Sequence, residues 1–125
     1  MDQTLLRVLV ADDDPTVGLL MRAALGKAGF AVTVVDNGSA ALAEFALVPF
    51  DMVLLDVEMP ALDGFEVCAA IRQSQRPKTP VVLVTGRDDP GFLARAHELS
   101  ADYIAKPVNW QALPGLLLTL LENPN

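Results

Sequence analysis

The sequence has little of what several classes of protein require. Cys68 is the single cysteine among 125 residues, so the chain cannot form an internal disulfide framework, and a reducing compartment fits it best. Lys and Arg number 9 against 16 Asp and Glu, which gives a formal net charge of -7. A nucleic-acid surface needs clustered Lys and Arg to neutralise phosphates, and the sequence has no such run. The composition therefore argues against direct nucleic-acid binding by this chain.

Long apolar segments are also lacking. The apolar run over residues 5–11 is interrupted by Arg7 and followed at once by three aspartates, a pattern that is neither a signal sequence nor a membrane span. The uncharged stretch over residues 107–121 contains Pro114 and Gly115, and it is too short and too interrupted to cross a bilayer. We therefore expect a cytoplasmic protein with no membrane partner.

The length limits the number of domains. A chain of 125 residues, 52% of them hydrophobic, buries about 65% of its unfolded surface, which supports one hydrophobic core but not two. We expect a single domain over residues 1–125, with its core over residues 6–121 and a polar tail or linker stub over residues 122–125. Any output domain must lie elsewhere, and the sequence leaves open whether the chain is complete or is part of a longer protein.

Apolar residues occupy consecutive positions in five short runs. Such runs predict parallel strands that are buried on both faces of a sheet. The predicted strands cover residues 8–11, 32–35, 52–55, 81–84 and 103–105. Their even spacing leaves room for one helix after each strand.

Segments with helical periodicity follow these strands. The first has Asp14 as its N-cap, Pro15 at its first position and Gly29 at its end, which are residue types typical of helix boundaries. Similar signals predict helices over residues 39–47, 65–74, 91–99 and 110–122. Repeated βα units place helices on both faces of a parallel sheet through right-handed crossovers. Five units predict an α/β, flavodoxin-like, doubly wound sheet with the strand order 2-1-3-4-5.

Polar side chains follow four of the five predicted strands. Asp12 and Asp13 follow the first strand, Asp56 the third, Thr85 the fourth and Lys106 the fifth. Open α/β sheets bind ligands at the carboxyl ends of their strands, where the strand order reverses. With strands one and three adjacent, the three carboxylates converge and repel one another unless a cation lies between them. Hard oxygen ligands around an open site favour Mg²⁺ or Mn²⁺.

These groups suit phosphoryl transfer to a carboxylate. Asp56 ends a buried strand, where a carboxylate without a partner is costly, and beside a divalent cation it can attack a phosphoryl group in line to form an aspartyl phosphate. Lys106 supplies positive charge to the transferring oxygens. Thr85 can donate its hydroxyl to a phosphoryl oxygen. We predict these three residues as the catalytic group.

Structural explanations compete for some of the polar residues. Helix capping accounts for Asp14, which directly precedes Pro15, but it explains little about the two aspartates before it. Strand propensity alone accounts for Thr85, which is β-branched. Lys106 precedes Pro107, and a cis peptide bond between them would fix the direction of the lysine side chain in a tight turn.

Four motifs occur in order within residues 6–121: Val10-Ala11-Asp12-Asp13-Asp14-Pro15, Leu54-Leu55-Asp56-Val57-Glu58-Met59-Pro60 with Asp63-Gly64, Val84-Thr85-Gly86, and Asp102-Tyr103-Ile104-Ala105-Lys106-Pro107. Each motif is weak by itself, but their combined order and spacing are specific. Together they resemble the receiver domain of two-component response regulators. The resemblance implies a CheY-like (βα)5 fold and a signalling switch that is activated by phosphorylation.

The resemblance also implies roles for individual residues. Asp56 is the implied phosphoacceptor, assisted by Lys106. The implied ligands of Mg²⁺ or Mn²⁺ are Asp12, Asp13, Asp56 and the backbone carbonyl of Glu58. The domain would catalyse its own phosphorylation and dephosphorylation, which makes it a regulatory domain rather than an enzyme with a separate substrate.

A switch and a tuning pair are implied in the same way. Thr85 and Tyr103 correspond to the pair whose hydroxyl and aromatic ring move together when the acceptor is phosphorylated. Glu58 and Arg87 stand where the family tunes the lifetime of the phosphoryl group. We hypothesise that Glu58 and Arg87 face each other across the mouth of the site and pair, which would hinder attacking water.

The implied partners are those of a phosphorelay. A histidine kinase or a histidine phosphotransfer protein would supply the phosphoryl group, and an output domain or a downstream protein would respond. The uncharged segment after Pro107 resembles receivers attached to domains that make or degrade cyclic dinucleotides. Apolar faces on the last two helices leave a homodimer open.

Two other functions compete with the switch. One is a receiver-like binding module that works without phosphorylation. The intact set of site residues argues against it: Asp12, Asp13, Asp56, Thr85 and Lys106. The other is a phosphatase with an aspartyl-phosphate intermediate, which needs a second acid two residues after the nucleophile. Glu58 is an acid two residues after Asp56. The sequence has no cap or substrate loop after that acid, which disfavours a phosphatase.

Overall fold

In the computed structural model, which describes residues 5–122, strands and helices alternate along the chain. The elements of this described part are β1 (Arg7–Ala11), α1 (Pro15–Lys27), β2 (Ala31–Val35), α2 (Gly38–Leu47), β3 (Met52–Asp56), α3 (Gly64–Arg72), β4 (Val81–Thr85), α4 (Pro90–Glu98), β5 (Asp102–Ala105) and α5 (Leu113–Glu122). The predicted tail begins at Glu122, which is the last residue of α5. The remainder of that tail, residues 123–125, lies outside the described residues.

The strands form one parallel sheet in the order β2-β1-β3-β4-β5. This confirms the predicted fold. β1 pairs with β2 on one side and with β3 on the other, so Ala11 lies between Val35 and Leu55. Because the chain turns in opposite directions after β1 and after β3, the carboxyl ends of these two strands border the crevice in which such sheets bind ligands.

Alternating strand residues divide the core between the two faces of the sheet. Leu9 and Val53 pack on one face with the apolar residues of α2, α3 and α4, whereas Val10 and Leu54 pack on the other face with those of α1 and α5. The three central strands are buried at nearly every position. Complete helix cover on both faces is what holds the strand ends in fixed positions.

The prediction that all five strands are buried on both faces is wrong for two of them. Every residue of β2 is only half-buried, and β5 is fully buried only at Ile104. Both strands lie at the edges of the sheet, where one side has no neighbouring strand. Apolar composition alone does not reveal this difference, because parallel strands are apolar at the edge and in the centre alike.

The predicted start of the last helix is also wrong. α5 begins at Leu113 rather than at Trp110. The side chain of Asn109 accepts hydrogen bonds from the backbone amides of Gln111 and Ala112 at 3.2 Å each, which stabilises a turn before the helix. Pro114 then lies in the first helical turn, where its missing amide hydrogen costs least. None of the helices within residues 5–122 has the length and apolar character needed to cross a membrane.

Candidate functional site

Three carboxylates meet where β1 and β3 end. Asp56 is the last residue of β3, and Asp12 and Asp13 directly follow β1. One carboxylate oxygen from each of the three lies within 4.8 Å of the others. Asp12 and Asp56 are buried, whereas Asp13 is exposed to solvent. The predicted convergence is therefore present, with two buried acids at the base of the crevice and one at its rim.

Burial makes the carboxyl groups of Asp56 and Asp12 hard to ionise. Desolvation raises the pKa of Asp56 to about 6, the charge of Asp12 adds to the rise, and Lys106 opposes it. Desolvation also raises the pKa of Asp12, although hydrogen bonding from the Asp14 amide and the charge of Lys106 act in the other direction. One lysine does not compensate two buried carboxylates. The site is short of positive charge.

The donor set fits a hard divalent cation. Oδ2 of Asp12 is buried and has no hydrogen-bond partner among the described residues, and Nζ of Lys106 lies 4.0 Å from it. Buried polar atoms are normally satisfied, so an exception of this kind needs an explanation. Three carboxylates at a solvent-facing crevice are the oxygen ligands that Mg²⁺ uses when it retains water and binds a phosphate.

Lys106 reaches the site from the end of β5. Its Nζ lies 3.3 Å from Oδ1 of Asp56, and its backbone amide donates to the carbonyl of Thr85 at 2.8 Å. The Lys106-Pro107 peptide bond is cis, as predicted. The lysine therefore places one positive charge directly beside the carboxylate at the end of β3.

Thr85 and Tyr103 lie on neighbouring strands but in different environments. Thr85 is buried, and its hydroxyl oxygen accepts a hydrogen bond from the backbone amide of Arg87 at 2.9 Å. Tyr103 is 48% exposed, and its ring packs edge-on against Phe92 with the centroids 5.7 Å apart. In the predicted switch pair, the hydroxyl of Thr85 is therefore buried at the crevice, whereas the aromatic ring of Tyr103 lies half-exposed at the surface.

The hypothesised pair of Glu58 and Arg87 is not formed. Nε and Nη2 of Arg87 instead contact the two carboxylate oxygens of Asp89 at 2.9 and 3.1 Å. Glu58 is exposed, and its backbone amide donates to Oδ1 of Asp56 at 3.2 Å. Glu58 and Arg87 do line the same cleft of about 600 Å³, between the loop after β3 and the start of α4. Asp89 is held at the start of α4 as its N-cap, and there it meets both guanidinium nitrogens of Arg87.

Two residues that shape the site were not predicted for this purpose. Asp89 appears in the sequence as a helix-start signal, and it does accept from the Phe92 amide as the N-cap of α4, but its contact with Arg87 was missed. Gly64 lies so close to the end of β3 that an added Cβ would stand 2.7 Å from the Asp56 carbonyl. An Asp-Gly dipeptide predicts a turn, but it does not say what the glycine packs against.

Comparison with protein families gives a match over most of the chain. The family model described as the response regulator receiver domain matches residues 8–117. Among curated proteins, the transcriptional activator IrlR of Burkholderia pseudomallei is 33% identical over 118 residues, which are 94% of this chain and 51% of IrlR. The sensory transduction protein RegX3 of Mycobacterium tuberculosis is 39% identical over 116 residues, which are 92% of this chain and 50% of RegX3. The chain spans about half the length of these relatives.

Solved structures show the same fold at full domain length. The chemotaxis protein CheY4 of Vibrio cholerae has a TM-score of 0.88 and 30% sequence identity, with 93% of this chain and 98% of that chain covered. A CheY-like receiver domain protein from Methanospirillum hungatei has a TM-score of 0.89 and 27% identity, with 95% of each chain covered. The strand order and the helix arrangement therefore agree with those of complete receiver structures.

Proposed function

The chain belongs to the response regulator receiver domain family, and on that premise we propose that it accepts a phosphoryl group on Asp56 and acts as a phosphorylation-dependent switch. One observation supports Asp56 as the residue that accepts the phosphoryl group. At the crevice between β1 and β3, Asp56 lies among Asp12, Asp13 and the ammonium group of Lys106, which is 3.3 Å from its Oδ1. A buried carboxylate with a cation at this distance is suited to attack an electrophilic phosphorus.

The transfer step begins with ionised Asp56. One of its carboxylate oxygens forms a bond to the phosphorus of a phosphohistidine, while the bond from phosphorus to the histidine nitrogen breaks and the imidazole leaves with the electron pair. The ammonium group of Lys106 offsets the negative charge of the transferring oxygens. The hydroxyl of Thr85, whose oxygen accepts from the Arg87 amide, retains its own proton for donation to a phosphoryl oxygen.

A divalent cation belongs to the same proposal. Asp12, Asp13 and Asp56, together with the backbone carbonyl of Glu58, would hold Mg²⁺ or Mn²⁺, which when bound supplies positive charge against the phosphoryl oxygens. The unpartnered Oδ2 of Asp12 supports this ligand set. Asp13, which is exposed, would give the cation its path from solvent.

The proposed signal runs from Thr85 to Tyr103. When the Thr85 hydroxyl turns toward the phosphoryl group, the ring of Tyr103 would move inward from its half-exposed position. Its edge-on contact with Phe92 in the first turn of α4 would then change. The surface formed by α4, β5 and α5 is therefore the region that a partner would read.

The proposed partners follow from this role. A histidine kinase or a histidine phosphotransfer protein would supply the phosphoryl group in the cytoplasm, and an output domain or a downstream protein would respond. Relatives named as transcriptional regulators suggest one class of output. The uncharged segment after Pro107 suggests a cyclic-dinucleotide enzyme as another class of output, and the apolar faces of the last two helices would allow a homodimer.

Mass spectrometry after incubation with acetyl phosphate and Mg²⁺ tests the proposal. We expect one phosphoryl group per chain, lost in Asp56→Asn and retained in Asp51→Asn, because Asp51 is an exposed acid immediately before the other end of β3. Rapid release of inorganic phosphate without an accumulated adduct would support a phosphatase instead. An unmodified wild-type chain would support a binding module that works without phosphorylation.

A further inference from the structure

The cleft beside the acceptor contains an arginine that could serve an anionic substrate. One wall of this cleft includes Val57 and Glu58, the two residues that follow Asp56, and the opposite wall includes Arg87. Arg87 comes two residues after Thr85, at the end of the strand next to β3. Glu58 and Arg87 line the same cleft, and the charge of Glu58 adds to the raised pKa of Arg87 after the larger effect of the hydrogen bond to Asp89.

The guanidinium group is nevertheless directed to α4. Both oxygens of Asp89 hold it, and it lies over the ring of Phe92, with the guanidinium carbon 5.7 Å from the ring centroid. Asp89 is itself fixed in place because it accepts a hydrogen bond from the Phe92 amide as the N-cap of α4. Two parallel hydrogen bonds to a fixed carboxylate give the arginine one defined direction.

This arrangement bears on any phosphodonor, because the rest of the site is short of positive charge. The carboxylates of Asp12 and Asp13 lie beside the acceptor Asp56, and among the described residues the cation in ion-pairing range of Asp12 and Asp56 is Lys106. A phosphodonor is anionic and must approach this surface. Arg95 also lines the cleft, with its guanidinium carbon 4.7 Å from the centroid of the Phe65 ring. A released Arg87 would add a further cation that raises the local concentration of such anions and forms charge-assisted hydrogen bonds with their phosphoryl oxygens.

We propose that Asp89 is a positioning residue that withholds Arg87 from the acceptor and so limits the reaction of the site with small anionic phosphodonors. This inference depends on the proposed phosphorylation of Asp56. Both side chains of the pair are about half exposed, and exposed ion pairs are weak. The arginine is therefore released part of the time, and Asp89 sets how often.

The step that Asp89 restrains can be measured with acetyl phosphate. In this step an Asp56 carboxylate oxygen bonds to phosphorus as the bond from phosphorus to the bridging oxygen breaks, and acetate leaves with the electron pair. In Asp89→Asn the helix cap is kept, because Asn caps as well as Asp, but the charge that holds Arg87 is removed. We expect phosphorylation at low acetyl phosphate concentration to become roughly fivefold faster, with the gain lost at high salt.

Asp88→Asn is the matched control. Asp88 is exposed and adjacent, so the variant removes the same charge but leaves the pair of Arg87 and Asp89 intact. We expect its rate to equal that of the wild type. The double variant Arg87→Ala/Asp89→Asn should react at the rate of Arg87→Ala alone, since Asp89 acts only through the arginine.

Three results would overturn the proposal. They are an unchanged rate in Asp89→Asn, an equal acceleration in Asp88→Asn, and an acceleration by Asp89→Asn that persists without Arg87. Thermal unfolding of each variant shows whether the fold is retained, and Asp89→Ser offers a second capping residue if Asn unfolds the helix start. Failure of the proposed function is distinguishable, because the wild-type chain would then gain no phosphoryl group at all.

Discussion

At the end of the sheet where β4 and β5 begin, the guanidinium group of Arg72 donates hydrogen bonds to four backbone carbonyls. At the carboxyl ends of the strands, by contrast, one oxygen of a buried acid accepts no hydrogen bond from the described residues. Arg72 donates to the backbone carbonyls of Leu99, Pro77, Thr79 and Ser100 at 2.6 to 3.0 Å. At the site edge, Oδ2 of Asp12 has no hydrogen-bond partner among the described residues. Arg72 is satisfied by several acceptors, whereas Asp12 at the crevice keeps one carboxylate oxygen available for a ligand.

The first prediction removes Arg72, the charged side chain whose hydrogen bonds are satisfied by backbone carbonyls. Arg72→Ala leaves four backbone carbonyls, from the segments before β4 and β5, without their donor. We expect it to lower the free energy of unfolding by about 3 kcal/mol, measured by urea denaturation. Arg22→Ala, on the exposed face of α1, is the control and should change stability little. Equal effects of the two substitutions would contradict the stabilising role of Arg72.

The second prediction removes the charge of Asp56, one of the two buried acids at the site. Because the pKa of Asp56 is raised from 3.8 to about 6, the folded protein holds this proton more tightly than the unfolded chain does. Without divalent cations, the contribution of Asp56 to stability should therefore be greatest below the unfolded pKa and be lost as the pH rises through the folded pKa. Asp56→Asn should remove this part of the slope and raise stability at pH 7 by about 1 to 2 kcal/mol.

Chemical denaturation at a series of pH values, with a chelator present, measures this slope. Asp51→Asn removes an exposed carboxylate just before the other end of the same strand and should retain the wild-type profile. A profile for Asp56→Asn that parallels the wild type would show that the buried acid is not under the strain inferred from its burial.

The third prediction supplies the missing positive charge. Adding Mg²⁺ at about ten times its dissociation constant should stabilise the wild-type protein by about 1.4 kcal/mol. Asp13→Asn should remove most of this gain, since it deletes a ligand that lies at the solvent-exposed rim and does not contribute to the core. Thermal unfolding with and without Mg²⁺ measures the effect. A gain of the same size in the variant would exclude Asp13 as a ligand.

The smallest expected effects concern backbone strain. Each of the two ends of the sheet has one residue with a left-handed backbone. Ala61, in the loop after β3, has φ 67°, and Ser100, in the turn before β5, has φ 54°. A left-handed backbone disfavours residues with a Cβ, so Ala61→Gly and Ser100→Gly should each stabilise the protein by about 0.5 to 1 kcal/mol. Thermal unfolding measures both. A loss of stability in either variant would show that the side chain contributes more than the strain costs.

The fold could be predicted because local signals agreed with one another. Asp14, Pro15 and Gly29 mark the boundaries of α1 in the sequence, and the structure uses the first two as N-cap and first helical residue and holds Gly29 at φ 98°. The position of Asp56 at the end of an apolar run placed it at the carboxyl edge before any strand pairing was known. Local patterns succeed here because helix caps and strand ends depend on neighbours in sequence.

Contacts between side chains were predicted less well. We expected Arg87 to pair with Glu58, but in the structure its guanidinium group donates hydrogen bonds to Asp89. Nothing in the pattern of residues 85–90 shows which of two nearby acids an exposed arginine will choose. The choice depends on the direction in which the backbone leaves β4 and on the distances that result, each of which is decided by the packed fold.

The amino-acid sequence by itself determined the alternation of strands and helices, the acids that follow β1 and end β3, and the lysine that follows β5. Only the tertiary structure decided that β2 and β5 are partly exposed edge strands, that Oδ2 of Asp12 has no hydrogen-bond partner within residues 5–122, and that Asp89 rather than Glu58 holds Arg87. The physical reason is range. Periodicity and capping act over a few residues, whereas burial and ion pairing depend on what the whole fold brings within about 4 Å.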